Sequence, residues 1–424
     1  MSVINENYRE YRLDNGLVVA LQNPPTKTIS AKLRVNYGAS HEQPGEEGMA
    51  HFLEHCVDGA GGEKFDHLAA DEIRSLFGYS NAATSVGRTF YIGQMLSEDL
   101  KMWLDYTTDH VFKPRFDQKR VNEERQRVLR EISDHKSQPR YADHLALVEA
   151  FYGGHPKGIQ VAGKEEVVAG ADLDNLVSFH GRGYHSNNMD LILVGSLPKD
   201  VEKIVGDYFG HFSPGENTRR DFPELRPLEK RVVIHSATPE SINRENPEES
   251  SAKLMVKFVG PSDNHPDEST TFIMNRILGA GEESLLFQNV SQRRGLAYHI
   301  GSSVDGSYNA GEIWVNASVK ATEVETALGA IFEEFERIKT QRIDQETIDK
   351  RKRLAKYGVA ELFESNGGHL SAIETKLDQG DTPDDFLRAI DKITPEDIME
   401  VANRYLPGRE DGKYILYIGD PLKK

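Results

Sequence analysis

The feature that most constrains the fold is a repeat with a period of half the chain. Ser30-Ala31-Lys32-Leu33-Arg34-Val35 recurs as Ser251-Ala252-Lys253-Leu254-Met255-Val256, an offset of 251 − 30 = 221. Near the end of each half, Leu191-Ile192-Leu193-Val194-Gly195 is paralleled by Ile415-Leu416-Tyr417-Ile418-Gly419, an offset of 415 − 191 = 224. Self-similarity at a long, nearly constant period implies a duplicated structural unit. The 424 residues are also too many for one ordinary core. Two homologous domains are expected, 1–218 and 219–424. The stretch from Ser213 to Pro227, rich in proline and charge, would join them.

Within the first half, Leu17 to Leu21 and Lys32 to Tyr37 read as strands, the first entered through an Asn15-Gly16 turn. Gly48 to Val57 and Asp117 to Lys136 have helical periodicity. Asn81 to Ser85 and Thr89 to Gln94 look extended, and Asp190 to Gly195 reads as a buried strand. Strands mixed with helices, twice over, predict an α+β protein in which each domain packs helices on a mostly antiparallel sheet.

A hydrophobic fraction of 38% with 28% charged residues describes a globular chain, and the longest apolar runs are strand-sized, too short to span a bilayer. The net charge of −17 would repel a phosphate backbone, which argues against nucleic-acid binding. The single cysteine, Cys56, excludes an internal disulfide and a thiolate-rich metal site. The N-terminal segment lacks the basic start and apolar stretch of a secretory signal, so a cytoplasmic location is expected for a chain that begins here.

His51-Phe52-Leu53-Glu54-His55 is the candidate for chemistry. Positions i and i+4 share a helix face, so His51 and His55 can present two imidazoles to one cation. Glu54 lies on roughly that face and can reach a metal-bound water without being a ligand. The pattern inverts the commoner zinc-protease motif, with the same histidine spacing and the glutamate at the other end. A catalytic zinc takes a third protein ligand and leaves a fourth position for water. Glu123, Glu124 and Glu131 all offer a carboxylate on one predicted helix. Glu124 and Glu131 are two turns apart on one face, so one can bind metal while the other orients a ligand. The residues themselves do not choose among the three. His110, His135, His144, His155, His180 and His185 are not assigned to metal.

At this point the chain resembles the family of pitrilysin, insulin-degrading enzyme and the mitochondrial processing peptidase, most closely its short bacterial members. Gly48-Met49-Ala50-His51-Phe52-Leu53-Glu54-His55 is similar to the family's zinc helix. Asn81-Ala82-Ala83-Thr84 with Thr89-Phe90-Tyr91 matches its substrate-pairing edge strand. Gly154-His155-Pro156, Gly279-Ala280-Gly281 and Gly295-Leu296-Ala297-Tyr298 fit later landmarks. The resemblance implies zinc held by His51, His55 and Glu131, with Glu54 as base and Glu124 supporting the site. It also implies peptide hydrolysis, with substrate pairing along Asn81, Ala82, Ala83 and Thr84. By the offset of 221, His51, Glu54 and His55 correspond to Phe272, Asn275 and Arg276, so no metal site is expected in the second half. Tyr298 matches a tyrosine that holds the substrate carbonyl. The arginine usual seven positions before it is replaced here by Ser291, with Arg293 and Arg294 nearby. A dimer is expected, either a homodimer or a heterodimer in which a zinc-less homologue supplies the missing cation.

Overall fold

The structure, a computed structural model, describes residues 7–138, 140–236, 250–410 and 412–419. Its strands are β1 Arg9–Arg12, β2 Val18–Gln22, β3 Thr28–Val35, β4 Tyr79–Thr84, β5 Thr89–Leu96 and β6 Met189–Gly195, then β7 Val232–Ser236, β8 Ser251–Val259, β9 Ala297–Asp305, β10 Glu312–Lys320 and β11 Ile415–Gly419. The helices needed below are α1 Met49–Ala60, α2 Leu100–Phe112, α3 Gln118–Ser137, α4 Tyr141–Tyr152, α5 Glu268–Leu278, α6 Val324–Thr340, α7 Asn366–Gln379 and α8 Pro395–Tyr405.

Two compact units divide the chain, with the main crossing between Asp221 and Phe222. The first holds 1–136, 159–221 and 360–383; the second holds 137–158, 222–359 and 384–424. A single cut at 218/219 therefore leaves two segments on the far side. Helix α4, encoded in the first half, belongs to the second unit, and α7, encoded in the second half, belongs to the first. Their starts are offset by 366 − 141 = 225, close to the repeat period, so the exchange is reciprocal.

In the first unit the six-stranded sheet runs β1-β2-β6-β3-β5-β4, and only the β2–β6 pair is parallel. The second unit repeats this as β7-β11-β8-β10-β9, with only β7–β11 parallel. This is the expected α+β class. The period-2 pattern of β3 explains its placement: Ile29, Ala31, Leu33 and Val35 enter the main core beneath α1 and α2, where Trp103 is the largest fully buried side chain. Its other face carries Lys32 and Arg34 toward α7. In the second unit Ala252, Leu254, Val256 and Phe258 make the corresponding core with α5, α6 and α8.

The two repeats agree in burial along the first helix at the offset of 221. Phe52, Leu53, Cys56 and Val57 match Ile273, Met274, Ile277 and Leu278, all buried. The letter match at the closing strands is out of register. Leu191 faces the main core, whereas Ile415 lies on the opposite face of its sheet and Leu416 takes the core position. A slip of one position flips every side chain, which short apolar strings do not reveal.

Helix α7 is fixed to the first sheet by charge. Lys32 Nζ donates to both Glu374 oxygens at 2.8 Å, and Arg88 donates to Asp378 at 2.6 and 2.7 Å. Fully buried Arg34 bridges Asp190 (2.8 Å) and Asp378 (3.0 Å). Burial alone would lower the Arg34 pKa, but these carboxylates raise it. Removing one partner of a buried pair strands the other charge. Arg34→Met is expected to destabilise the first unit by about 3 kcal/mol. Denaturant unfolding of wild type and variant measures this, and an unchanged midpoint contradicts the assignment.

Candidate metal centre

Helix α1 begins where Gly48 turns into the left-handed region (φ 101°), a conformation glycine adopts without a Cβ penalty. A Cβ there would meet the Ala162 carbonyl at 2.8 Å. Gly48 has no side chain with which to cap, and Glu42 substitutes for one, accepting from the Ala50 amide at 2.9 Å. With Phe52, Leu53, Cys56 and Val57 turned into the core, His51 and His55 are left half-buried at the wall of a cleft. The cleft is about 580 Å³, and Glu54, Glu124, Glu131 and Asn81 to Thr84 also line it.

His51 Nε2 and His55 Nε2 stand 3.2 Å apart. Glu131 Oε2 lies 3.7 Å from the first and 3.6 Å from the second. Tetrahedral zinc with nitrogen and oxygen donors at about 2.0–2.1 Å needs donor spacings of roughly 3.3 Å. The three atoms therefore fit one zinc ion with little movement. His51, Glu54 and His55 also bring one donor atom each within 4.8 Å of one another. Two nitrogens with a carboxylate oxygen is a donor set typical of catalytic zinc.

The neighbours prepare the histidines. Burial, then the proximity of His55, pushes His51 down to about 4, so its imidazole is neutral and ready to bind metal. Burial also opposes charge on His55, but the hydrogen bond to Glu124, with the charges of Glu54, Glu131 and Glu124, raises its pKa. Glu124 is nearly fully buried and sits 3.7 Å from His55 Nδ1, while Arg127 donates to it at 2.8 Å. Burial works against its charge, yet His55 and Arg127 hold its pKa below the ordinary carboxylate range. Gly59 makes room: a Cβ there would meet Glu124 Oε1 at 2.5 Å. The alternatives left open by the sequence are thus separated by geometry. Glu131 reaches both Nε2 atoms, Glu124 stands behind His55, and Glu123 pairs with Arg120.

Glu54 is buried beside the histidines, and burial pushes its carboxyl up to about 7. Thr84 Oγ1 donates to Glu54 Oε2 at 3.3 Å, so this residue contributes a side chain as well as its place on the strand. The second unit also has a hydroxyl of its edge strand bonded at this helix position, from a place two residues away from that of Thr84. Ser302 Oγ donates at 2.5 Å to Oδ1 of Asn275, the counterpart of Glu54. Strand β4 is the sheet edge, with Asn81 and Ala83 exposed along it. Beyond Glu54, Arg74 donates to Asp58 at 2.8 Å within the same cleft. Sequence reasoning missed Arg127, Thr84 as a side-chain partner, and Glu42. Only Arg127, at i+3 from Glu124 on a helix, left a readable signal.

In the second unit Phe272 and Arg276 occupy the histidine positions, with the guanidinium over the ring at 5.6 Å. Tyr298 lies in β9 where the pairing to β10 slips: Ser318 faces His299 and Val319 faces Ala297, so Tyr298 is the extra residue of a bulge. It is 70% exposed. Ser291 donates to the Ala297 carbonyl at 2.8 Å, Arg293 to Asn289 at 2.9 Å and Arg294 to Glu333 at 2.5 Å.

A duplicated α+β fold with His-x-x-Glu-His on one helix, a glutamate opposite it and a second copy with Phe272, Asn275 and Arg276 in the equivalent places defines the class of inverted-motif zinc-protease-like proteins. Family profiles agree: the one described as Insulinase (Peptidase family M16) matches residues 17–165, and Peptidase M16 inactive domain matches 170–354. The chain belongs to peptidase family M16. An uncharacterized zinc protease of Rickettsia bellii is 26% identical over 413 residues, covering 95% of each chain. The uncharacterized zinc protease YmxG of Bacillus subtilis is 26% identical over 404 residues, covering 93% of this chain and 95% of its own. A protease from Helicobacter pylori superposes with a TM-score of 0.83 at 20% identity, covering 98% of this chain and 99% of that one. A structure of a peptidase M16 inactive domain from Pseudomonas fluorescens gives 0.80 at 21%, with the same coverage. No helix among the described residues is long and apolar enough to cross a membrane.

Proposed function

We propose that the protein is a zinc metalloendopeptidase acting on short or unfolded peptides, with His51, His55 and Glu131 as ligands and Glu54 as general base. The convergence of the two Nε2 atoms and Glu131 Oε2 carries this reading. A bound zinc supplies Lewis acidity and a water of near-neutral pKa. Glu54 takes the proton of the attacking water and returns it to the leaving amine. Glu124 does not touch the reacting atoms; it holds the His55 ring through Nδ1. Thr84 fixes one Glu54 oxygen. The free edge of β4 at Asn81, Ala82, Ala83 and Thr84 pairs with an extended substrate backbone, which selects conformation more than sequence. The test is hydrolysis of an unstructured peptide, abolished by a chelator and restored by zinc. Turnover that persists in the chelated protein rules the reading out.

Thr84→Val is expected to lower kcat on the order of 10-fold with KM little changed, since it removes one hydrogen bond to a charged group and leaves the strand intact. Thr84→Ser should recover most of the rate, and steady-state kinetics of the three proteins decides. Tyr298 is the candidate donor to the substrate carbonyl, free to serve because it stands exposed on a bulge. Ser291, Arg293 and Arg294 are each held locally, which favours an arginine supplied by a second, zinc-less homologous chain. The isolated chain is then weakly active and gains rate when that homologue is added. Full activity of a pure homodimer, lost in Arg293→Ala or Arg294→Ala, contradicts the heterodimer.

A further inference from the structure

On the helix-covered face of the first sheet a lysine is paired with a carboxylate, and on the equivalent face of the second a lysine one row away is not. Lys32 and Lys253 match in the letters of the repeat, 253 − 32 = 221, and lie on equivalent faces of β3 and β8, but one row apart: Lys32 pairs with Ile192 and Ile92, Lys253 with Gly419 and Ser318, and Met255 stands in the row that corresponds to Lys32. In the first unit Glu374 of α7 holds the Lys32 ammonium by both oxygens. In the second unit α4 covers the equivalent face, and its one acid at the cavity, Asp143, is bonded to the Tyr417 hydroxyl. Among the described residues neither Lys253 nor Arg140 forms an ion pair, and a cavity of about 360 Å³ lies beside them. That volume suits a small organic ligand.

The sheet register shows how the cavity is built. Gly419, Lys253, Ser318 and His299 lie in one row across β11, β8, β10 and β9. The next row, toward the middle of the sheet, is Tyr417, Met255 and Asn316. Gly419 contributes no side chain, and the Arg140 guanidinium lies over the gap, 3.1 Å from where a Cβ would be. Arg140 itself precedes α4 in the left-handed region at φ 72°, uncommon for a non-glycine residue. Met255 and Leu147 form an apolar wall, and Asn316 and Ser318 offer amide and hydroxyl groups on the floor. One acid, Asp143, lines the cavity, and it is engaged by the Tyr417 hydroxyl at 2.8 Å. A lysine and an arginine thus face a partly apolar recess in a protein whose net charge is −17.

We propose that this recess in the second unit binds a carboxylate on an apolar body, namely the C-terminal residue of a peptide. The ligand carboxylate takes toward Lys253 and Arg140 the part Glu374 plays toward Lys32. Its side chain rests on Met255 and Leu147, and its amide meets Asn316 or Ser318.

The probe is N-acetyl-leucine, titrated into full-length protein labelled with ¹³C at the methionine methyls, with the Met255 resonance assigned from Met255→Leu. The Met255 signal is expected to shift with N-acetyl-leucine. Its amide should bind on the order of 10-fold more weakly, as should N-acetyl-leucine with Lys253→Met or Arg140→Met, because a charge-assisted hydrogen bond is lost in each case. His55→Ala should bind the probe as wild type does, which separates this recess from the metal centre and its failure from that of the peptidase reading. An amide that binds as tightly as the acid, a Lys253→Met protein with full affinity, or a Met255 resonance that stays in place overturns the proposal.

Discussion

Replacing Glu54 with glutamine is expected to leave the protein folded, metal-loaded and nearly inactive. Glutamine keeps the size of the side chain and can still meet the Thr84 hydroxyl, but it cannot accept a proton from the attacking water. A positioned base typically contributes 10²- to 10⁴-fold, so a loss of kcat on the order of 1,000-fold is anticipated, with peptide affinity preserved. Elemental analysis and peptide binding separate this outcome from collapse of the site. Substantial hydrolysis by zinc-loaded Glu54→Gln would assign the base to another group.

The second large effect is on metal content. Wild-type protein should carry about one zinc per chain, and His51→Ala, His55→Ala or Glu131→Ala should lose it, since three protein ligands are the usual minimum for catalytic zinc. Glu124→Gln is expected to weaken zinc by about 10- to 100-fold rather than abolish it, because it removes support behind His55 and not a ligand. Cys56→Ser is the control. That thiol is adjacent to His55 in sequence but turned about 100° around the helix into the core. Burial raises its pKa, which keeps it a packing residue and not a thiolate. Full zinc in His55→Ala, or zinc lost from Cys56→Ser, would redraw the donor set.

The chain's own letters determined more of this than its low identity to relatives suggests. The duplication, the α+β class and the helix carrying His51, Glu54 and His55 all follow from local pattern, because period, turn chemistry and i,i+4 geometry act over short stretches of chain. The letter match of the closing strands is off by one position. A short apolar string has no side in sequence, and only the partner strands place Leu416 rather than Ile415 in the core.

What tertiary structure alone decided are relations between distant segments. That Glu131, implied as third ligand by the family resemblance, is the carboxylate near both Nε2 atoms while Glu124 stands behind His55 depends on how α3 crosses α1, a matter of packing angle. The reciprocal placement of α4 and α7 depends on which apolar faces and charges meet between segments that lie about half the chain apart in sequence. The same holds for the two lysines of the repeat. Lys32 and Lys253 match in the letters of the repeat, yet the strand pairings put them one row apart, and Lys32 is held by Glu374 of the covering helix while Lys253 faces a cavity.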